Sequence, residues 1–325
     1  MVVILNFKKK GLKMNLLILD EVFKLAEEYK KALQPKFPEV FIHAVSKREE
    51  IGDFIEKTDI LLSFRISDEL IRKASKLLWI QSMASGPDHI ITPSLRKEVL
   101  VTSTRGIHAP QMSEMAFLLM LSLNRNFPQV IRNQDQKAWE RWPPRLLYQK
   151  KVGILGMGFC GKEIARKCKA FGMTVYGIAS KKREDETADY FYGPEGLRQV
   201  IQEVDYFIIV APYTPQTHKM IGTKELSSMK PTAFLINIGR GEIIDEEALI
   251  HALKTGKIAG AALDAFCKEP LPKDHPLWEM KNVIITPHLG GLSDTYMEQV
   301  LSIFEENLRR FLRGERRNLI NLVER

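Results

Sequence analysis

The sequence predicts an α/β protein of two domains, a doubly wound parallel sheet and a smaller parallel α/β unit, on three observations. Short β-branched runs alternate with stretches of helical period along most of the chain, they do so in two separate series, and the second series opens on a glycine-rich turn between a strand and a helix. The 325 residues, 45% hydrophobic and 27% charged, are enough chain for two cores.

In the first series, residues 16–19, 40–45, 60–64 and 78–83 read as strands, with helices over 22–33, 49–57 and 68–77 between them. In the second, strands are expected at 151–155, 173–178, 206–210, 234–238, 258–263 and 283–286, and six strands with helices between them match a doubly wound sheet. Between the series, 112–125 is apolar on most faces and predicts a buried helix crossing from one domain to the other. A helical stretch at 295–312 and a short run at 318–323 return to the first domain. That domain is then discontinuous, taking residues 1–103 and 292–325 against 104–291 for the second.

Composition narrows the classes. Cys160, Cys168 and Cys267 are too few and too scattered for a disulfide framework and lack the spacing of a zinc site, so no metal and a reducing cytoplasm are expected. The longest apolar run, 115–123, falls well short of the roughly 18 residues of a membrane span. Residues 2–5 carry their charge, Lys8 to Lys10, after the apolar patch, which argues against a secretory leader and places the structural start near Met14. The net charge of +8 is dispersed except at Lys8 to Lys10 and 309–317, a pattern of solvated helix faces that suits small anions and does not predict nucleic-acid binding.

Directly after the strand at 152–155 comes Gly156-Met157-Gly158-Phe159-Cys160-Gly161, and then a helix over 162–171. Gly156 allows the tight turn, Gly158 lets backbone approach a pyrophosphate, Gly161 lets helix pack on strand, and the N–H groups at the helix start face the phosphates. This is the fingerprint of a Rossmann dinucleotide site. About 20 residues on, where an acid holds the ribose of NAD, stand Ala179, Ser180, Lys181, Lys182 and Arg183. A hydroxyl and two cations, Ser180, Lys181 and Arg183, suit a 2′-phosphate, so NADP is expected, with NAD as the alternative. Pro212, Thr217 and Ile238 complete the expected cofactor-binding set with Phe159 and Cys160.

Three later segments each follow a predicted strand end: Asn237-Ile238-Gly239-Arg240-Gly241, Asp264-Ala265-Phe266-Cys267-Lys268-Glu269-Pro270, and Thr286-Pro287-His288-Leu289-Gly290-Gly291. In an open parallel sheet that edge binds ligands, so an arginine, a carboxylate and an imidazole can converge there although distant in sequence. An arginine fork suits a carboxylate, and a histidine partnered by a carboxylate suits proton transfer near neutral pH.

Together with 237–253, 274–278 and the glycine loop, these motifs resemble the D-isomer specific 2-hydroxyacid dehydrogenases, of the glyoxylate/hydroxypyruvate reductase kind, over nearly the whole chain from Asn15. The resemblance implies a Rossmann domain beside a smaller flavodoxin-like substrate domain, and hydride transfer between NAD(P)H and a small 2-keto acid. It assigns Arg240 to binding the substrate, His288 to acid/base work, Glu269 to partnering His288, and Asp264 to the nicotinamide carboxamide. The segment from Ser82 to His89 resembles the family's substrate loop, in which the N–H groups of Ser85 and Gly86 receive the carboxylate; Pro87 departs from the usual apolar residue and offers no N–H. Residues 103–117 resemble the stretch that enters the nucleotide domain, and the apolar 112–123 helix implies a homodimer.

The other histidines, His43, His89, His108, His218, His251 and His275, have no partner that the sequence identifies and read as packing or surface residues. Cys160 and Cys267 read as spectator thiols, and Trp139, Trp142 and Tyr148 as packing between domains. Two other functions fit the same motifs, phosphoglycerate oxidation and a dinucleotide-sensing, corepressor-like binding protein.

Overall fold

A computed structural model describes residues 13–324; the apolar patch at 2–5 and the basic run Lys8 to Lys10 lie outside the described residues. The chain divides into two compact units, one holding residues up to Ile107 and again from Ser293, the other His108–Leu292. The passages fall at 107/108 and 292/293, where the sequence places them at 103/104 and 291/292. Local bonding accounts for the first difference: Ser103 N–H donates to Asn321 O at 3.2 Å and Thr104 Oγ1 to Met83 O at 2.7 Å, which keeps both residues in the first unit.

The first unit runs β1 (Met14–Leu19), α1 (Ala26–Leu33), β2 (Val40–Val45), β3 (Ile60–Ser63), α2 (Asp68–Lys73), β4 (Trp79–Ser82) and β5 (Leu100–Thr102). Its sheet is parallel in the order β2-β1-β3-β4-β5, the flavodoxin-like winding. All four residues of β3 and of β4 are buried, as expected of parallel strands covered on both faces.

The second unit runs α3 (Ala109–Arg125), α4 (Phe127–Asp135), β6 (Lys151–Leu155), α5 (Phe159–Ala170), β7 (Thr174–Ile178), β8 (Tyr190–Tyr192), α6 (Leu197–Glu203), β9 (Tyr206–Ile209), α7 (Thr223–Ser228), β10 (Phe234–Asn237), α8 (Glu246–Lys254), β11 (Gly260–Leu263) and β12 (Val283–Ile285). Its parallel order is β12-β11-β10-β9-β6-β7-β8, with the winding reversing between β6 and β9. This is a doubly wound sheet of the Rossmann type.

The chain then returns as α9 (Tyr296–Leu312) to the first unit. Val300, Phe304, Leu308 and Phe311 form the buried stripe, and Trp79 stacks on Phe304 and Phe311 at 5.4 and 5.1 Å. Burying one such aromatic stabilises the docking by about 1.5–3 kcal/mol. A polar chain sets the register: Trp79 Nε1 donates to Thr102 Oγ1 (2.8 Å), which donates to Gln81 Oε1 (2.7 Å), and Asn307 Nδ2 donates to the same oxygen (3.1 Å).

Several expectations are corrected. The helix expected from residue 22 begins at Ala26, because the Asp20 carboxylate accepts the N–H groups of Val22, Phe23 and Leu25 and holds that segment as a turn. Residues 49–57 form two 3₁₀ segments, Arg48–Glu50 and Gly52–Lys57, rather than one α-helix, with Gly52 at φ +53° where they meet. The three-residue strands β5 and β8 were not expected, being too short to show a period. Helix α3 does not cross between units: it lies within the second and packs on α5, β10 and β11. Trp139 is not packed, for it is 87% exposed with the Arg141 guanidinium 6.0 Å from its ring.

Among the described residues no helix is long and apolar enough to cross a membrane, and no group of three or more His, Cys, Asp or Glu side chains is placed to hold a metal ion.

Candidate active site

At the carboxyl edge of the second sheet, the three glycines of the turn after β6 have different neighbours. Gly156 sits at φ +108°, and a Cβ there would lie 2.5 Å from Ala211 N. A Cβ on Gly161 would lie 2.1 Å from Gly156 O, so this glycine lets α5 close on the turn. Gly158, immediately before α5, has nothing within 4 Å of its Cβ position. Open space at the middle glycine, beside the N–H groups that a helix start leaves without intrahelical partners, is the cradle a pyrophosphate needs, so these residues fit a dinucleotide.

Beyond β7, Ser180 and Lys181 are exposed, whereas Arg183 is held in place. Its Nη2 donates to Met157 O inside the glycine loop at 2.5 Å, and its guanidinium lies 5.1 Å from the Phe191 ring. The sequence reading missed Asp185. Its carboxylate, 2% exposed, accepts Thr187 N–H and Oγ1 and pairs with Lys162 at 3.0 Å and Arg183 at 3.6 Å. Burial works to raise the Asp185 pKa, but the hydrogen bonds from Thr187 and Lys162 prevail and bring it to about 2. The Asp-x-Thr spacing is the only sequence trace of this turn. Further along the edge, Thr217 Oγ1 donates to Pro212 O at 3.0 Å, which joins both expected cofactor residues in one turn, and Ile238 is buried.

The three later motifs converge. The Asn237 side chain at the end of β10 accepts Gly239 N–H and donates to Arg240 O, both at 3.0 Å, shaping the arginine's turn. The Arg240 charge acts on His288, Glu269 and His108 alike. His288 Nδ1 lies 2.8 Å from Glu269 Oε2, while Glu269 Oε1 accepts Phe266 N–H at 3.0 Å. A carboxylate only accepts, so Nδ1 carries a proton and Nε2 is the nitrogen that exchanges one.

Electrostatics follow this geometry. The hydrogen bond to Glu269 raises the His288 pKa above 6.5, ahead of burial and Arg240, which lower it. For Glu269 burial is the largest influence and raises the pKa, but the bonds from His288 and Phe266 N–H overcome it and leave the value lowered. His108, read from sequence as packing, belongs to the same field: burial, and then Arg240, lower it to about 4, so this imidazole is neutral at pH 7. His275, read as unpartnered, pairs with Glu246 at 3.1 Å, a contact made 29 residues away. Burial pushes the Cys160 and Cys267 thiols up to about 11, leaving neither as a thiolate.

Asp264, 2% exposed, accepts Thr286 Oγ1, Leu289 N–H and Gly290 N–H, so its carboxylate is largely engaged with the loop bearing His288. In the first unit, Ser85 and Gly86 follow β4 in a loop shaped by Ser82 Oγ, which accepts Ala84 N–H at 3.1 Å, and by Thr104, whose N–H donates to Ala84 O at 3.1 Å. Neither Ser85 N–H nor Gly86 N–H is taken up by a hydrogen bond among the described residues.

Comparison with known proteins gives concordant results. Residues 117–290 match the family model described as D-isomer specific 2-hydroxyacid dehydrogenase, NAD binding domain. A glyoxylate reductase of Korarchaeum cryptofilum is 35% identical over 80% of this chain and 81% of that protein. A D-isomer specific 2-hydroxyacid dehydrogenase family protein from Aeromonas salmonicida superposes with a TM-score of 0.89 at 34% identity, covering 96% of this chain and 99% of that one. The NADPH-dependent glyoxylate/hydroxypyruvate reductase of Sinorhizobium meliloti, solved with NADP and sulfate, gives 0.82 at 26% identity over 95% and 98%.

Proposed function

We propose that this chain, which belongs to the D-isomer specific 2-hydroxyacid dehydrogenase family, reduces glyoxylate or hydroxypyruvate and prefers NADPH to NADH. The oxidoreductase class follows from the family. The observation that carries the mechanism is the 2.8 Å contact between His288 and Glu269 in the field of Arg240.

The dinucleotide is held by Gly156, Gly158 and Gly161, by the N–H groups of Phe159 and Cys160 at the start of α5, and by the turn of Pro212 and Thr217 with Ile238 and Asp264. When bound, its dihydronicotinamide supplies the hydride. Arg240 takes the substrate carboxylate and keto oxygen in its fork. His288, whose protonated form Glu269 favours, gives its Nε2 proton to the carbonyl oxygen as negative charge develops there. Glu269 keeps its own charge and orients the ring.

Three features support NADPH. No acid stands at Ala179, Arg183 is pinned to the glycine loop by its bond to Met157 O, and the charge of Asp185 is already matched by Lys162 and Arg183. A homodimer in the cytoplasm completes the reading. Leu118, Phe127 and Ile131 on α3 and α4 are 55%, 49% and 44% exposed, an apolar face suited to a two-fold partner. Oxidation of NADPH and NADH with glyoxylate, hydroxypyruvate, pyruvate and phosphohydroxypyruvate tests the assignment: turnover is expected with the first two. Preference for the phosphorylated acid would move the assignment to phosphoglycerate metabolism, and no turnover with any of them would leave a binding protein.

A further inference from the structure

We propose that Thr286 is a positioning residue for His288, acting through Asp264. The inference rests on the reading of His288 as the proton donor.

Thr286 is the first residue beyond β12. Its N–H donates to Leu263 O at the end of the neighbouring β11 (3.0 Å), its carbonyl accepts His288 N–H (3.0 Å), and its hydroxyl donates to Asp264 Oδ1 at 2.6 Å. Asp264 also receives the two N–H groups that follow His288, Leu289 on Oδ1 at 2.9 Å and Gly290 on Oδ2 at 2.8 Å. One buried carboxylate thus holds the chain on both sides of the histidine. His288 sits at φ +54°, a left-handed conformation uncommon for a residue with a Cβ. The Asp264–Thr286 bond and the two amide bonds brace the chain on either side of it.

The carboxylate is itself fixed. Asp264 N–H donates to Asn237 O at 2.8 Å, and the Asn237 side chain shapes the Arg240 turn. The imidazole and the guanidinium are therefore referenced to one buried point across adjacent strand ends. Gly290 belongs to the same arrangement, since a Cβ there would lie 2.8 Å from Asp264 Oδ2. With the Thr286 hydroxyl removed, the His288 loop keeps its two amide bonds and loses the one on its approach side. The ring then drifts from Glu269, and displacements of this kind cost up to about a hundredfold in rate at reacting groups.

The charged groups acting on His288 are Glu269, Arg240 and Asp264, with Glu269 the largest through its hydrogen bond. Loosening that bond lowers the imidazole's pKa, an effect that lost stability alone does not produce. The test compares Thr286→Val with Thr286→Ser and follows the His288 titration by NMR in the substrate-free protein alongside kcat and KM. Thr286→Val is expected to lower kcat about tenfold and move the His288 titration to lower pH, while Thr286→Ser restores both. An unmoved titration, or a loss that Thr286→Ser does not restore, overturns the proposal. Should Thr286→Val fail to fold, Thr286→Cys, similar in size and a poorer donor, carries the same comparison. Because the NMR readout needs no substrate, an enzyme inactive on every keto acid would refute the functional reading and still leave this one decidable.

Discussion

His288 Nδ1 stands 2.8 Å from Glu269 Oε2, and the pair shifts both groups in the direction that keeps the imidazole protonated, His288 raised and Glu269 lowered. Reduction needs the protonated ring, so its rate is expected to fall as pH rises through the raised His288 value. In Glu269→Gln the largest raising influence is gone, and that limb should move to lower pH while the dinucleotide still binds. A pH–rate profile on keto-acid reduction checks this, and an unmoved limb would remove Glu269 from its role.

The same shifts make a stability statement. The raised His288 contributes stability that is present below 6.5 and lost as pH rises through its folded value. The lowered Glu269 contributes stability that is present above 4.5 and lost as pH falls through its folded value. The ion pair therefore stabilises between the lowered carboxylate and the raised imidazole. Its side chains are 44% and 36% exposed, so screening keeps the contribution small. Melting curves of wild type and His288→Gln should differ most near pH 6 and converge at alkaline pH.

Two glycines of one loop should separate folding from binding. Gly161→Ala places a Cβ 2.1 Å from Gly156 O and is expected to destabilise the second unit by about 1–3 kcal/mol. Gly158→Ala, at φ −85° with open space around its Cβ, should melt like the wild type yet bind the dinucleotide at least tenfold more weakly. Thermal melting together with fluorescence titration of NADPH reads both. Unchanged affinity in Gly158→Ala would mean that the phosphates lie elsewhere.

Arg240→Lys keeps the charge and loses the fork. Among the described residues the Arg240 side chain makes one hydrogen bond, Nη1 donating to Gly239 O at 2.9 Å, so much of the donor set is available to substrate. A charge-assisted hydrogen bond contributes about 1.5–3 kcal/mol, so kcat/KM for the keto acid should fall roughly ten- to a hundredfold. Full activity in steady-state assays of Arg240→Lys would show that a point charge suffices.

Cofactor choice is tested in the loop beyond β7. Arg183→Ala removes the cation bonded to Met157 O and should lower the ratio of kcat/KM for NADPH over NADH about tenfold, and Ala179→Asp should lower it further by opposing a 2′-phosphate. A ratio that neither substitution moves would place the ribose away from this loop.

What the sequence determined by itself were features encoded by neighbours. The strand cores of both units are continuous apolar runs because parallel strands are covered on both faces, and the glycines at 156 and 161 state steric demands that a Cβ does not meet, with Gly158 between them leaving open space. Arg240, Glu269 and His288 were legible because each follows a strand end, and a parallel sheet collects its strand ends along one edge. Tertiary structure alone decided the contacts made across long separations. Asp185 was invisible as a partner of Lys162, 23 residues earlier, because a salt bridge leaves no periodic signal. The pairing of His275 with Glu246 and the clamp of Asp264 on Thr286 depend on which strands lie side by side, a choice made by the packing of the whole sheet. The short strands β5 and β8 form only because a longer neighbour supplies the hydrogen bonds that three residues cannot specify.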